Sequence, residues 1–172
     1  MDVDGSNQMR LTSKGIERNP VFSADSKWVY FVAWETGRGT IWKVPVESGE
    51  ATQVIADLSF NPIISPDGTM LLYSGSDGLV ITSVSGGAPV ETFNDLGIEC
   101  QWSPDSRSLT CLRNHDKVWN LWEQPLSGGE PRQLTNFAAP GISKYAFSRD
   151  GKQLAVTRTT FTSDIILISD GQ

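Results

Sequence analysis

His115 is the only histidine in the chain, and it stands in Arg113-Asn114-His115-Asp116-Lys117, beside a carboxylate of the kind that orients a catalytic base. Side chains adjacent in sequence rarely reach the geometry a base and its orienting group require, and no nucleophile accompanies the pair, so an exposed loop histidine is expected. The sequence has no Gly-x-Ser-x-Gly elbow, no phosphate-binding loop and no histidine cluster. Asp25, Asp67, Asp105 and Asp150 recur as metal carboxylates might be imagined to, but each falls alone in a turn, where Asp bonds the local backbone. Asp2-Val3-Asp4-Gly5-Ser6-Asn7 has some oxygen donors of a calcium loop, with the glycine misplaced and the bidentate Glu missing. Neither metal nor cofactor nor catalysis is expected. Cys100 and Cys111 lie on opposite arms of one predicted hairpin. A bridge between adjacent antiparallel strands is usually strained and the spacing fits no zinc pattern, so free thiols are expected.

The elements that carry these residues repeat. Phe22-Ser23-Ala24-Asp25, Ile64-Ser65-Pro66-Asp67, Trp102-Ser103-Pro104-Asp105 and Phe147-Ser148-Arg149-Asp150 place their serines 42, 38 and 45 residues apart, the period of a four-stranded propeller blade. In Ser65-Pro66-Asp67-Gly68 the proline presets φ and the glycine takes the fourth position of a type I turn, closing a hairpin. The flanking runs Trp28-Val29-Tyr30-Phe31-Val32 and Met70-Leu71-Leu72-Tyr73 are too short for helices and read as strands buried on both faces. The fold class is therefore all-β, a propeller of four-stranded antiparallel blades.

Composition narrows the partners. A formal charge of −6 with evenly scattered basic residues argues against a phosphate-tracking surface, so no nucleic acid is expected. No apolar run approaches the ~20 residues of a membrane span, and the first residues do not read as a signal peptide. A soluble single domain over 1–172 is the expectation, compatible with being a piece of something longer.

In order, 1–18 reads as an outermost strand and link, 19–57, 58–95 and 96–138 as three full blades, and 139–172 as the first three strands of a fourth. Gln8 to Thr12 would then complete the sheet begun by Lys144 to Ile168, leaving no bare edge at the seam. The bulky Phe22, Ile64, Trp102 and Phe147, with Trp28, Trp42 and Trp122, are expected to fill the spaces between blades. Wide wedges suit a wide ring, so two chains closing head to tail into an eight-bladed homodimer are favoured over a self-closed monomer. The links between blades and the turns between second and third strands emerge on one face, and loops on a rigid scaffold are the usual seat of recognition. Trp34, Arg38, Glu99, Arg113, His115, Lys144 and Arg158 are the candidates there to bind a protein or peptide.

The turns of Ile64-Ser65-Pro66-Asp67-Gly68 and Phe147-Ser148-Arg149-Asp150-Gly151, with fourth-strand endings Arg10-Leu11-Thr12 and Gln133-Leu134-Thr135, resemble the TolB-type, WD-like β-propeller repeat over nearly the whole chain. The first repeat departs from it at Ser23-Ala24-Asp25-Ser26. Such repeats occur in a periplasmic scaffold, in sensor regions of bacterial kinases and transcription factors, and in gating domains of prolyl-oligopeptidase-like peptidases. The resemblance implies a periplasmic or extracytoplasmic setting. A noncatalytic interaction or sensor module is the reading; the gating portion of a peptidase or of a lyase, or a purely structural fragment, are the alternatives.

Overall fold

The computed structural model describes residues 4–12, 15–47, 49–148 and 150–160. Its strands are β1 (Ile16–Phe22), β2 (Trp28–Glu35), β3 (Arg38–Pro45), β4 (Thr52–Ile55), β5 (Phe60–Ile64), β6 (Met70–Gly75), β7 (Gly78–Ser83), β8 (Glu91–Phe93), β9 (Ile98–Trp102), β10 (Ser108–His115), β11 (Val118–Pro125), β12 (Arg132–Gln133), β13 (Ile142–Phe147) and β14 (Leu154–Arg158). They form three sheets in sequence order, β1 to β4, β5 to β8 and β9 to β12, and a pair β13-β14. Every pairing is antiparallel. No helix among the described residues is long and apolar enough to cross a membrane.

Each hairpin from first to second strand is closed by the same hydrogen bonds. The hydroxyl of Ser23, Ser65, Ser103 and Ser148 donates to Asp25, Asp67, Asp105 and Asp150 at 2.5, 2.6, 2.6 and 2.7 Å. That hydroxyl in turn accepts from the amides of Trp28, Met70, Ser108 and Gln153 at 2.9 to 3.0 Å. The aspartate accepts a further amide, from Lys27, Thr69, Arg107 and Lys152. Position four of the turn is left-handed in all of them, at Ser26, Gly68, Ser106 and Gly151. The recurring aspartates are thus satisfied as turn residues.

One register also decides which way each side chain faces. Counting from the turn serine, the residues one before, six after and eight after point to the preceding blade, whereas those two before, seven after and nine after point to the next. Val21, Tyr30 and Val32 accordingly share a core with Ile64, Leu71 and Tyr73. Ile63 and Leu72 share one with Trp102, Leu109 and Cys111, and Leu112 shares one with Tyr145, Phe147 and Val156. Polar tips buried by this packing reach across it: Tyr30 donates to the Val84 carbonyl at 3.0 Å, and the Trp102 indole to that of Ile63 at 3.1 Å. Tyr145 donates to the carbonyls of Glu99 and Thr110, and burial pushes its phenol well above the ordinary range.

Two expectations change. Phe22 does not fill a space between blades: it is 60% exposed, because among the described residues no blade stands before it. Cys100 and Cys111 are not free thiols but a disulfide. The regular register of β9 on β10, which pairs Trp102 with Leu109 and Gln101 with Thr110, sets Cys100 opposite Cys111 with Cα atoms 4.1 Å apart. Both face the second blade, in the core with Leu72, Ile81 and Leu109.

The expected seam is half visible. Residues 8–12 have no strand partner among the described residues; of the sheet expected to receive them, β13 and β14 are described and the part from 161 to Ile168 lies outside the described residues. Leu11 nevertheless packs on Val29, Phe31, Ala33 and Val44, the face of the first blade that looks backward. Val54 and Leu134, at the corresponding place in the repeat, lie against the second and fourth blades in the same way.

Candidate functional site

The first strands are where side chains from successive blades meet. Four residues before each turn serine stand Asn19, Asn61, Glu99 and Lys144. At the first three the backbone is left-handed, with φ of 54°, 51° and 53°, and the ladder slips there, so each strand bulges. The bulge brings neighbouring side chains together in pairs: Asn19 donates to Asn61 at 2.9 Å, and the Lys144 ammonium lies 2.6 Å from the Glu99 carboxylate. No such bond joins Asn61 to Glu99. Between them opens a cleft of about 510 Å³. Its walls are Ile63, Leu72, Leu79, Ile98 and the bridged Cys100, and its polar groups are Asn61, Ser74, Glu99 and Gln101. Gln101 is fixed by donating to the Tyr145 carbonyl at 3.4 Å, and the Tyr145 hydroxyl holds the Glu99 carbonyl at 2.8 Å. An apolar floor with a few convergent polar groups, at this volume, is the usual form of a small binding pocket.

The loop residues divide. Trp34 packs on Phe60 of the next blade with ring centroids 5.2 Å apart, and the Arg18 guanidinium lies 5.8 Å from the centroid of the Trp34 ring. Arg113 donates to the Asp95 carbonyl at 3.4 Å and lies 5.4 Å from the Trp122 ring. Arg158 donates to the carbonyls of Pro140 and Ala138 at 2.8 and 3.0 Å and lies 4.5 Å over Phe137. These three tie blade links to their own scaffold. Arg38 reaches Asp57 at 3.4 Å with its side chain 55% exposed. His115 and Asp116, against expectation, do meet, at 3.2 Å, because the turn residues Asp116 and Lys117 are both left-handed and curl back as a two-residue hairpin turn. Both are open to solvent. Of the candidates only Glu99 and Lys144 touch each other. Asn19, Ser74 and Gln101 were not singled out by the sequence; the signal that marks Asn19 is its place four before the turn serine, shared with Asn61, Glu99 and Lys144. No cluster of three or more metal-ligating side chains occurs among the described residues.

Solved structures share the fold. TolB from Acinetobacter baumannii superposes on 89% of the chain with a TM-score of 0.72 and 24% identity. The fold is a TolB-like β-propeller. The propeller also matches a puromycin-hydrolyzing peptidase of Mycobacterium tuberculosis (TM-score 0.60, 23% identity, 81% of this chain and 27% of that one). A chain of the nidogen/laminin complex matches as well (0.60, 15% identity, 84% and 57%). This propeller spans 40% of the length of the Acinetobacter TolB. No protein-family model and no curated protein sequence matches it.

Proposed function

We propose that this propeller is a noncatalytic interaction or sensor module that binds a protein or peptide at the end of the blades where inter-blade links and second-to-third-strand turns emerge. The observation that carries the reading is the cleft between the second and third blades, where Asn61, Ser74, Glu99 and Gln101 surround an apolar floor. Its amides, hydroxyl and carboxylate can bond a peptide backbone while the floor takes an aliphatic side chain. At that end of the blades, Arg38, Glu99, His115 and Lys144 offer side chains 55%, 44%, 81% and 67% exposed. Trp34, Arg113 and Arg158 serve by holding the links in place. Likeness to a chain of the nidogen/laminin complex supports a protein partner. The Cys100–Cys111 bridge supports an oxidising, extracytoplasmic setting.

Peptides selected from a displayed random library against the whole chain test the reading. Ser74→Tyr, which fills the cleft, is expected to weaken the selected peptides about tenfold or more while the circular dichroism spectrum is kept. Peptides that bind the variant as tightly as the parent would move the site elsewhere. Likeness to the puromycin-hydrolyzing peptidase favours a second reading, the propeller portion of such an enzyme. A coding sequence that runs on into a hydrolase domain would select it.

A further inference from the structure

The spaces between successive blades are not closed alike at the end where the second-to-third-strand turns emerge. β2 and β10 are eight residues long, whereas β6 has six. In the first blade the hairpin runs past the Val32-Ile41 pair to Trp34-Gly39 and Glu35-Arg38, and in the third past Leu112-Leu121 to Asn114-Trp119 and His115-Val118. In the second it turns at Gly75-Gly78, immediately after the equivalent Ser74-Leu79 pair, so each arm is shorter by two residues, about 7 Å.

What the shorter hairpin lacks is a pair that faces the next blade. Eleven residues after the turn serine continues the forward series of seven and nine, and there Trp34 stands opposite Gly39 and Asn114 opposite Trp119, one tryptophan in each of the longer hairpins. Trp34 covers Phe60 of the second blade with ring centroids 5.2 Å apart, and Trp119 packs against the core that includes Ile142 and Tyr145 of the fourth. Between the second and third blades no tryptophan fills that place. Ile98 holds the position of Phe60, five before the turn serine, and is 51% exposed. Ser74 holds the position at which Val32 and Leu112 are buried. The cleft of about 510 Å³ that both line is thus the space an indole occupies at the other two interfaces, and its Leu72 and Cys100 belong to the core joining these blades.

We infer that this cleft receives the side chain of a tryptophan from a bound peptide, seated on Ile98 as Trp34 is seated on Phe60; the inference rests on the reading of the cleft as a peptide site. An indole there continues an interface the chain already has, and an aromatic side chain removes about 150–250 Å² from water with few torsions to fix. Its N–H needs an acceptor when buried. The Ser74 hydroxyl and the Glu99 carboxylate line the cleft, and Lys144 engages only Oε1 of Glu99. A second cleft of about 240 Å³ shares Ser74, Leu79 and Gly97 with the first and passes Asn94 and Asp95, leaving room for the peptide chain on either side of the tryptophan.

Titration of the whole chain with N-acetyltryptophanamide, followed by amide NMR, tests this. Shifts that saturate at Ser74, Leu79, Ile98 and Glu99 are expected, with a midpoint about tenfold below that of N-acetylleucinamide. Ser74→Tyr, which fills the cleft, and Ile98→Asp, which makes its exposed wall polar, should each raise the midpoint about tenfold with the dispersed spectrum of a folded chain; two variants guard against one failing to fold. No shifts at the cleft, an equal midpoint for the leucine compound, or binding that survives both substitutions would overturn the inference. Peptides selected from the displayed library separate it from the reading beneath it. If Ser74→Tyr weakens them but the tryptophan compound does not bind, the cleft takes peptides by some other group and the inference fails alone. If the tryptophan compound binds and the peptides are indifferent to Ser74→Tyr, the indole site stands and the peptide reading fails.

Discussion

Ser23, Ser65, Ser103 and Ser148 each donate to one aspartate and accept one amide, so a short polar motif replaces an ordinary hairpin turn in every blade. Those hydrogen bonds stabilise the ionised carboxylates, and Asp25, Asp67, Asp105 and Asp150 all lie below the ordinary 3.8, the serine hydroxyl being the largest cause. A carboxylate depressed in the folded chain binds protons less readily than in the unfolded one. Stability is therefore fully present above 3.8 and lost as pH falls through the folded values. The urea midpoint should hold from neutral to about pH 5 and decline towards about pH 2. A midpoint that rises on acidification would contradict the turn assignment. Ser26 pays steric strain in a left-handed position that Gly68 and Gly151 occupy freely. Ser26→Gly should raise stability by about 0.5 to 1 kcal/mol, the relief of left-handed strain less the entropy of glycine, measured by urea unfolding.

At the level of strands, the turns and their spacing were legible because Ser-x-Asp recurs with the same chemistry and alternating apolar runs flank it. The bulge in each first strand was not. Asn19 and Asn61 are of a type that tolerates a left-handed backbone, but Glu99 and Lys144 at the same place are not, so the four identities do not announce a common bulge. What depended on the bulge was missed with it: the pairing of Asn19 with Asn61 and the cleft beside Glu99. Glu99 and Lys144 were legible as exposed polar residues on blade links; their contact was not, since it joins different blades. The bridge spans a sequence separation of 11, and closing so short a loop in the unfolded chain stabilises by about 3 kcal/mol. Reducing agent should lower the urea midpoint of the parent and leave that of a Cys100→Ala, Cys111→Val variant unchanged. An equal response of the two would show that the thiols are not bridged.

For the molecule as a whole, one register governs both the cores between blades and the two faces that no blade covers. Leu71 and Leu109 are fully buried because a blade precedes each, and each contributes about 1.5 to 3 kcal/mol by leaving water. Phe22 has no such neighbour among the described residues. The sequence suggested a two-chain ring from the bulk of its aromatic residues, and one of them, Phe22, is exposed rather than packed between blades. The most direct measurement compares library-selected peptides on the parent and on Ser74→Tyr, which fills the cleft between the second and third blades. Binding weakened about tenfold or more, with the circular dichroism spectrum kept, is the predicted result. Peptides that bind the variant as tightly as the parent would contradict the account.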